Sequence, residues 1–210
     1  MDDVGRYCAR MLGRTPAARA AEEAARAGGD EDRAAMLRAA VAAVRQASAS
    51  APEPEPDAPA PTDPAGLQGA IARELAAAVG GLPLAEREAL ALRELLGLDY
   101  DALGAATGVP PEAVPVLLAQ ARLDLRTRLR GASAPQPDCD ERERALRTIA
   151  RRQDGEEVPA ADDDWLIDHL GHCRGCRQAH AAMLEASACY RAWAAPDLPA
   201  DPVAGAASGS

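Results

Sequence analysis

Between Ser48 and Gly66 the chain reads SASAPEPEPDAPAPTDPAG, with proline at nearly every second position and acidic residues between. Such a stretch favours extended polyproline conformations and cannot bury a core, so no single hydrophobic nucleus can be built through it. A second break, GASAPQPD from Gly131 to Asp138, divides the remainder of the chain. The chain is therefore expected to hold small modules at 1–47, 67–131 and 139–195, with linkers at 48–66 and 132–138. A Gly/Ala/Ser tail at 196–210 is expected to be disordered.

The formal charge of −10 argues against a protein whose main business is wrapping phosphate backbone, which calls for a basic face. Every basic residue is arginine, which carries no functional message by itself. Five cysteines, an odd number, behind an acidic start without an apolar run point away from export and a disulfide framework. The expected setting is the reducing cytosol, and no apolar stretch approaches the ~20 residues of a membrane helix.

The first module suggests two helices, Val4 to about Leu12 and a longer region in which Met36, Leu37, Ala40, Val41 and Val44 recur at helical spacing. It is short and alanine-rich. The middle module places Leu90, Leu92, Leu95 and Leu96 on a helix ending at Gly97, offers Asp99 as the N-cap of a second helix, and turns at Gly108 into a third. Along that third helix Val114, Leu118, Ala121, Leu125 and Leu129 form one buried stripe, which is helix-turn-helix patterning.

From Leu82 to Leu129 this sequence resembles region 4 of extracytoplasmic-function sigma factors. The likeness rests on the leucine pattern, the turn Thr107-Gly108-Val109-Pro110 and the Gln120-Ala121-Arg122 run of the third helix. The resemblance implies a domain that reads promoter DNA with that helix. By the same comparison, YCARMLGRTPAARAAEEA and AAMLRAAVAAVRQ of the first module look like a shortened region 2.

The third helix departs from that pattern on its outward side, where hydroxyls and cations would be needed to reach bases and phosphates. Glu112 puts a negative charge near its start, Pro115 removes a backbone donor, and Val116 and Leu117 are apolar. Such a face neither releases counterions nor hydrogen-bonds a base edge, and an apolar strip fits a protein surface better. The candidate partner or DNA face is Glu112, Val116, Leu117, Gln120, Arg122 and Arg126. Its cations either grip phosphate or form a solvated helix end suited to the C-terminal dipole.

The densest chemistry lies in IDHLGHCRGCRQAH, Ile167 to His180, which holds all three histidines and two of the five cysteines. Cys173 and Cys176 at C-x-x-C spacing let two thiolates bind one metal from a tight turn, with Gly175 easing the backbone. His169, four residues earlier, supplies a third ligand from a helix ending near Leu170. Cys139, at the start of the module, leads as the fourth, while His180 and His172 compete for ligand positions. Cys8 and Cys189 have no metal-spaced companion and read as small packed hydrophobes. Trp165, Leu166, Ile167 and Leu170 are the expected small core, with Met183, Leu184, Tyr190 and Trp193 either covering it or gripping a partner.

The order CDERERALRTIARRQDGEEVPAADDDWLIDHLGHCRGC resembles the zinc-binding domain of anti-sigma factors. An opening Cys139, the turn Asp154-Gly155-Glu156 and the closing His169, Cys173 and Cys176 fall where that family has them. The resemblance implies a structural zinc site made by Cys139, His169, Cys173 and Cys176. The expected fold is all-α, with a helix-turn-helix and a zinc-stabilised helical domain joined by Pro-rich linkers. The expected function is non-enzymatic transcription regulation, through contacts with a sigma factor or RNA polymerase and weakly, if at all, with promoter DNA. A zinc-thiol redox sensor controlling a sigma-like DNA-binding module is the alternative.

Overall fold

The computed structural model describes residues 3–13, 15–27, 32–50, 66–131 and 137–193, and every regular element among them is helical. Most of the two predicted linkers, 51–65 and 132–136, and the tail from 194 onward lie outside the described residues. Two compact units result, one containing 3–50 and one containing 66–193.

The first unit packs three helices, α1 (Asp3–Leu12), α2 (Pro16–Arg26) and α3 (Arg33–Ser50), each against the other two. The sequence pattern suggested two. The added helix α2 buries only Ala18, Ala21 and Ala25, so no large apolar residue marked its period. Its start is nonetheless written locally. The Thr15 hydroxyl accepts from the Ala18 amide at 3.2 Å, and Pro16 occupies the first turn, where its missing N–H costs nothing. Tyr7, Met11, Leu37, Val41 and Val44 fill the centre, and α3 runs on to Ser50, past the boundary expected at 47.

The second unit begins with α4 (Gly66–Gly80) and α5 (Leu84–Leu90), which continues into a π-helical turn at Ala91–Leu95. Then come α6 (Tyr100–Thr107), α7 (Val114–Arg130), α8 (Arg142–Asp154), α9 (Ala160–His172) and α10 (Arg174–Ala192). Asp99 caps α6 as expected, its carboxylate accepting from the Ala102 amide at 2.8 Å. Gly108 ends α6 at φ 80°, a left-handed conformation that glycine adopts without strain. At Gly104 the constraint is space: a Cβ there would lie 2.7 Å from the Val109 carbonyl oxygen, so glycine lets the turn close tightly on α6.

Two apolar clusters meet along α7 and α10. Leu75 and Val79 of α4, with Leu82 just after it, pack with Leu90, Ala121 and Leu125 and with Ala186 and Tyr190 from the far half of α10. Ala119 and Leu123 of α7 pack with Leu146 and Ile149 of α8, Leu166 of α9 and Met183 of α10. The helix-turn-helix and the Cys/His segment thus share a core inside one unit. Tyr190, whose role the sequence left open, is 1% exposed within it. Ile167 departs from expectation: it is 55% exposed, because α9 turns Leu166 inward and the adjacent position outward.

Candidate metal centre

Three local devices bring four ligand atoms together. The helix α9 carries His169 near its C-terminal end, and the chain then extends at Cys173 (φ −91°, ψ 104°), the residue that ends α9 and begins α10. Cys176 sits in the first turn of α10 and is fully buried. Cys139 comes from the segment just before α8, which passes close to α10 at Gly175. A Cβ at Gly175 would lie 3.1 Å from the Pro137 Cα, so the missing side chain permits that approach. Gly175 was expected to relax a turn. It sits instead inside the first turn of α10, and its service is close packing.

The ligand atoms of Cys139, His169, Cys173 and Cys176 all lie within 4.8 Å of one another. The Cys139 Sγ is 3.7 Å from the Cys176 Sγ and 3.8 Å from the His169 Nε2, which is 3.2 Å from the Cys176 Sγ. Tetrahedral zinc, with bonds of about 2.3 Å to sulfur and about 2.0–2.1 Å to nitrogen, sets ligand separations of about 3.5–3.8 Å. The donor set therefore fits a metal ion of that size and softness. Burial, with the neighbouring Cys173 and Cys139 thiols, pushes the Cys176 thiol up; the Cys176 backbone amide holds Cys173 below the usual thiol range. Crowding three sulfurs in this way is electrostatically costly for the thiolates unless a cation lies among them.

His169 is oriented from behind. Its ring stacks on Trp165 at 4.9 Å between centroids, and the Arg144 guanidinium lies 4.0 Å over the Trp165 ring. Arg144 is itself held by Asp162 at 2.7 Å. The competing histidines are elsewhere: His172 is exposed beside Asp168, and half-buried His180 has its pKa lowered by burial and by Arg152. Neither joins the four-atom cluster.

The proposed partner face of α7 is divided. Glu112 is exposed, while Val116, Leu117 and Gln120 are half-buried, Gln120 donating to Asp124 at 2.9 Å. Arg126 pairs with Glu185 of α10 at 3.5 Å, and Arg130 meets the same carboxylate. Arg122 does not belong to the surface at all. It is wholly buried, donating to Glu94 at 2.7 Å and to Asp154 at 2.5 Å. Its position, four residues after Leu118 and three before Leu125, marks the buried face of α7, and that spacing was the available signal.

Around Arg122 a polar network spans five elements, which sequence reasoning missed. Arg93, from the π-helical turn, donates to the Leu98 carbonyl at 2.5 Å and to Glu156 at 3.0 Å, and also meets the Asp154 carbonyl. Tyr100 donates to the Asp154 carboxylate at 2.7 Å, and its own ionisation is pushed up by burial and by that neighbour. From α10, Ser187 donates to Glu94 at 2.7 Å and Arg191 pairs with it at 2.9 Å. Gln153 closes the ring by donating to Ser187 at 2.7 Å.

Residues 72–125 match the family described as Sigma-70, region 4. The match runs from within α4 to within α7, so this part of the chain is a sigma-factor-like helix-turn-helix, and the Cys/His cluster lies beyond it. Neither the curated proteins nor the solved structures compared with the chain match it.

Proposed function

We propose that this protein is a cytosolic, non-enzymatic transcription regulator in which a zinc-stabilised, anti-sigma-like module is fused to a module like region 4 of extracytoplasmic-function sigma factors. It acts through protein contacts with a sigma factor or RNA polymerase. The observation that carries this reading is the cover over α7. Ala119, Arg122 and Leu123 of the helix that would read DNA are buried against α8, α9 and α10. What remains open at its start, exposed Glu112 in the turn before α7 with half-buried Val116 and Leu117, suits a protein better than a phosphate backbone.

Cys139, His169, Cys173 and Cys176 would hold the zinc, and all four positions being protein ligands makes its role structural. When bound it supplies a cross-link between the segment before α8, the end of α9 and the start of α10. Trp165 and Arg144 fix the imidazole, and Gly175 admits the Cys139 segment. No described helix is long and apolar enough to cross a membrane, in keeping with action beside polymerase.

Binding of the purified chain to core RNA polymerase and to sigma factors tests the regulator reading. Affinity in the micromolar range or better for either is expected, and binding to neither refutes it. Zinc content tests the module: one zinc per chain is expected, with Cys139→Ser lowering affinity by ~100-fold or more. A redox variant is favoured by the 3.7 Å separation of the Cys139 and Cys176 sulfurs. A peroxide would take two electrons from the Cys139 and Cys176 thiolates and two protons from solvent, leaving a disulfide and two waters and releasing the metal. Unchanged zinc content after peroxide treatment removes that variant.

A further inference from the structure

The buried network contains an imbalance. Arg122 already has a carboxylate partner within the helix-turn-helix, Glu94, whose side chain is 1% exposed. Arg93 has none there: besides the Leu98 carbonyl and the face of the Tyr100 ring, its acceptors are Asp154, the last residue of α8, and Glu156 from the turn that follows. The helix-turn-helix alone would therefore present two guanidiniums and a phenolic hydroxyl to one carboxylate. That cradle has an unbalanced positive charge, and Asp154 fills it.

Asp154 meets every group of the cradle. Its carboxylate accepts from both terminal nitrogens of Arg122, at 3.1 and 2.5 Å, and from Tyr100 at 2.7 Å, and lies 3.3 Å from the Arg93 Nε. Gly155 takes φ 70° directly after α8, so the helix stops at Asp154 and the chain turns Glu156 back onto Arg93. Much of the surrounding apolar contact comes from alanines, namely Ala119, Ala121, Ala179, Ala182 and Ala186, which allow close approach but bury little area.

We infer that Asp154 is the anionic key by which the segment 139–193 docks on the helix-turn-helix, Arg93, Arg122 and Tyr100 forming an anion site that an acidic turn of the same chain occupies. A buried pair that loses one partner leaves an uncompensated charge, so the docked arrangement depends on this carboxylate out of proportion to its size. The exposed contacts of Glu185 with Arg126 and Arg130 carry no such weight. The covering of α7 is thus held by charge at one point. The inference deepens the regulator reading by naming what keeps the recognition helix covered, but its test reads docking alone.

The test compares Asp154→Asn, Asp154→Glu and Glu185→Gln in the full chain with Zn(II) bound, by amide hydrogen exchange along α7. Asp154→Asn, nearly the same shape without the charge, is expected to accelerate exchange of the α7 amides from Ala119 to Leu125 by ~5- to 100-fold. Asp154→Glu should recover most of the protection, and Glu185→Gln should stay within about twofold of the parent. A purely steric role predicts the reverse order for the two Asp154 variants, and that order overturns the proposal. Where Asp154→Asn does not fold, Arg93→Gln removes the same contact from its less buried side, and unchanged α7 protection there overturns it equally. No polymerase or sigma factor enters the experiment, so failure of the regulator reading would appear separately.

Discussion

A single hydrogen atom at Gly175 decides how closely the Cys139 segment approaches the start of α10. Adding a methyl group there would press on the Pro137 backbone at 3.1 Å, and backbone cannot rotate away as a side-chain tip can. Gly175→Ala is therefore expected to lower Zn(II) affinity by ~10-fold, with overpacking costing about 1–3 kcal/mol of stability; competition with a chromophoric chelator measures the first and urea unfolding the second. Spacing alone singled out His169, Cys173 and Cys176 as candidate ligands; Cys139, far off in sequence, was a candidate only because its segment could fold back, and the structure brings its sulfur within 4.8 Å of the other three ligand atoms. Gly175 was legible as important but for another reason, since C-x-x-C spacing does not reveal a second strand of chain passing beside it. Arg122 illustrates the opposite failure. Its charge suggested the surface, while its helical phase with Leu118 and Leu125 pointed inward, and phase prevailed because Glu94 and Asp154 were there to meet it.

Between elements, the pairing of α5 with α7 buries the carboxyl of Glu86 beside Asp124. Glu86 is 7% exposed and its pKa is raised to about 7, first by burial, then by the charge of Asp124 and a hydrogen bond with it, with Arg128 opposing. In the unfolded chain the same carboxyl titrates near 4.5. Between these values the folded state binds more protons, so stability falls as pH rises, and the full cost of the ionised group is felt above about pH 7. Glu86→Gln is expected to stabilise the protein at pH 8 by about 1–3 kcal/mol relative to the parent and to do little at pH 4, as paired urea titrations would measure. Equal effects at both pH values would contradict the assignment. The Asp99 cap together with the leucine pattern placed α6 from sequence; α2 has the Thr15 cap and Pro16 at its start but no apolar period behind them, because alanine is compatible with burial and exposure alike.

For the second unit as a whole, the candidate metal ties together α8, α9 and α10, and two of these carry the polar groups that close over α7. Removing zinc with a chelator is therefore expected to lower the thermal midpoint of this unit by more than ~10 °C and to change the emission of Trp165, which stacks on a ligand. A midpoint indifferent to chelation would mean that packing alone holds these helices. The Pro-rich stretch at 48–66 falls, along the sequence, where one compact unit gives way to the other, whereas the break at 131–138 lies within the second unit. What composition could not announce is that the helix-turn-helix and the Cys/His segment would share one, since a shared core depends on which faces meet.

The helix α10 makes that sharing a matter of register. Its first turn presents Cys176 to the ligand cluster, and its last turns present Ala186, Ser187 and Tyr190 to α4, α7 and Glu94. It behaves as a keyed shaft, with one key cut at each end. A residue inserted between Cys176 and Ala186 would turn the far key by about 100° and advance it about 1.5 Å, so that metal and helix-turn-helix could no longer be engaged together. Substitutions along the exposed side of this shaft should drift freely, whereas its length between the two keys is fixed.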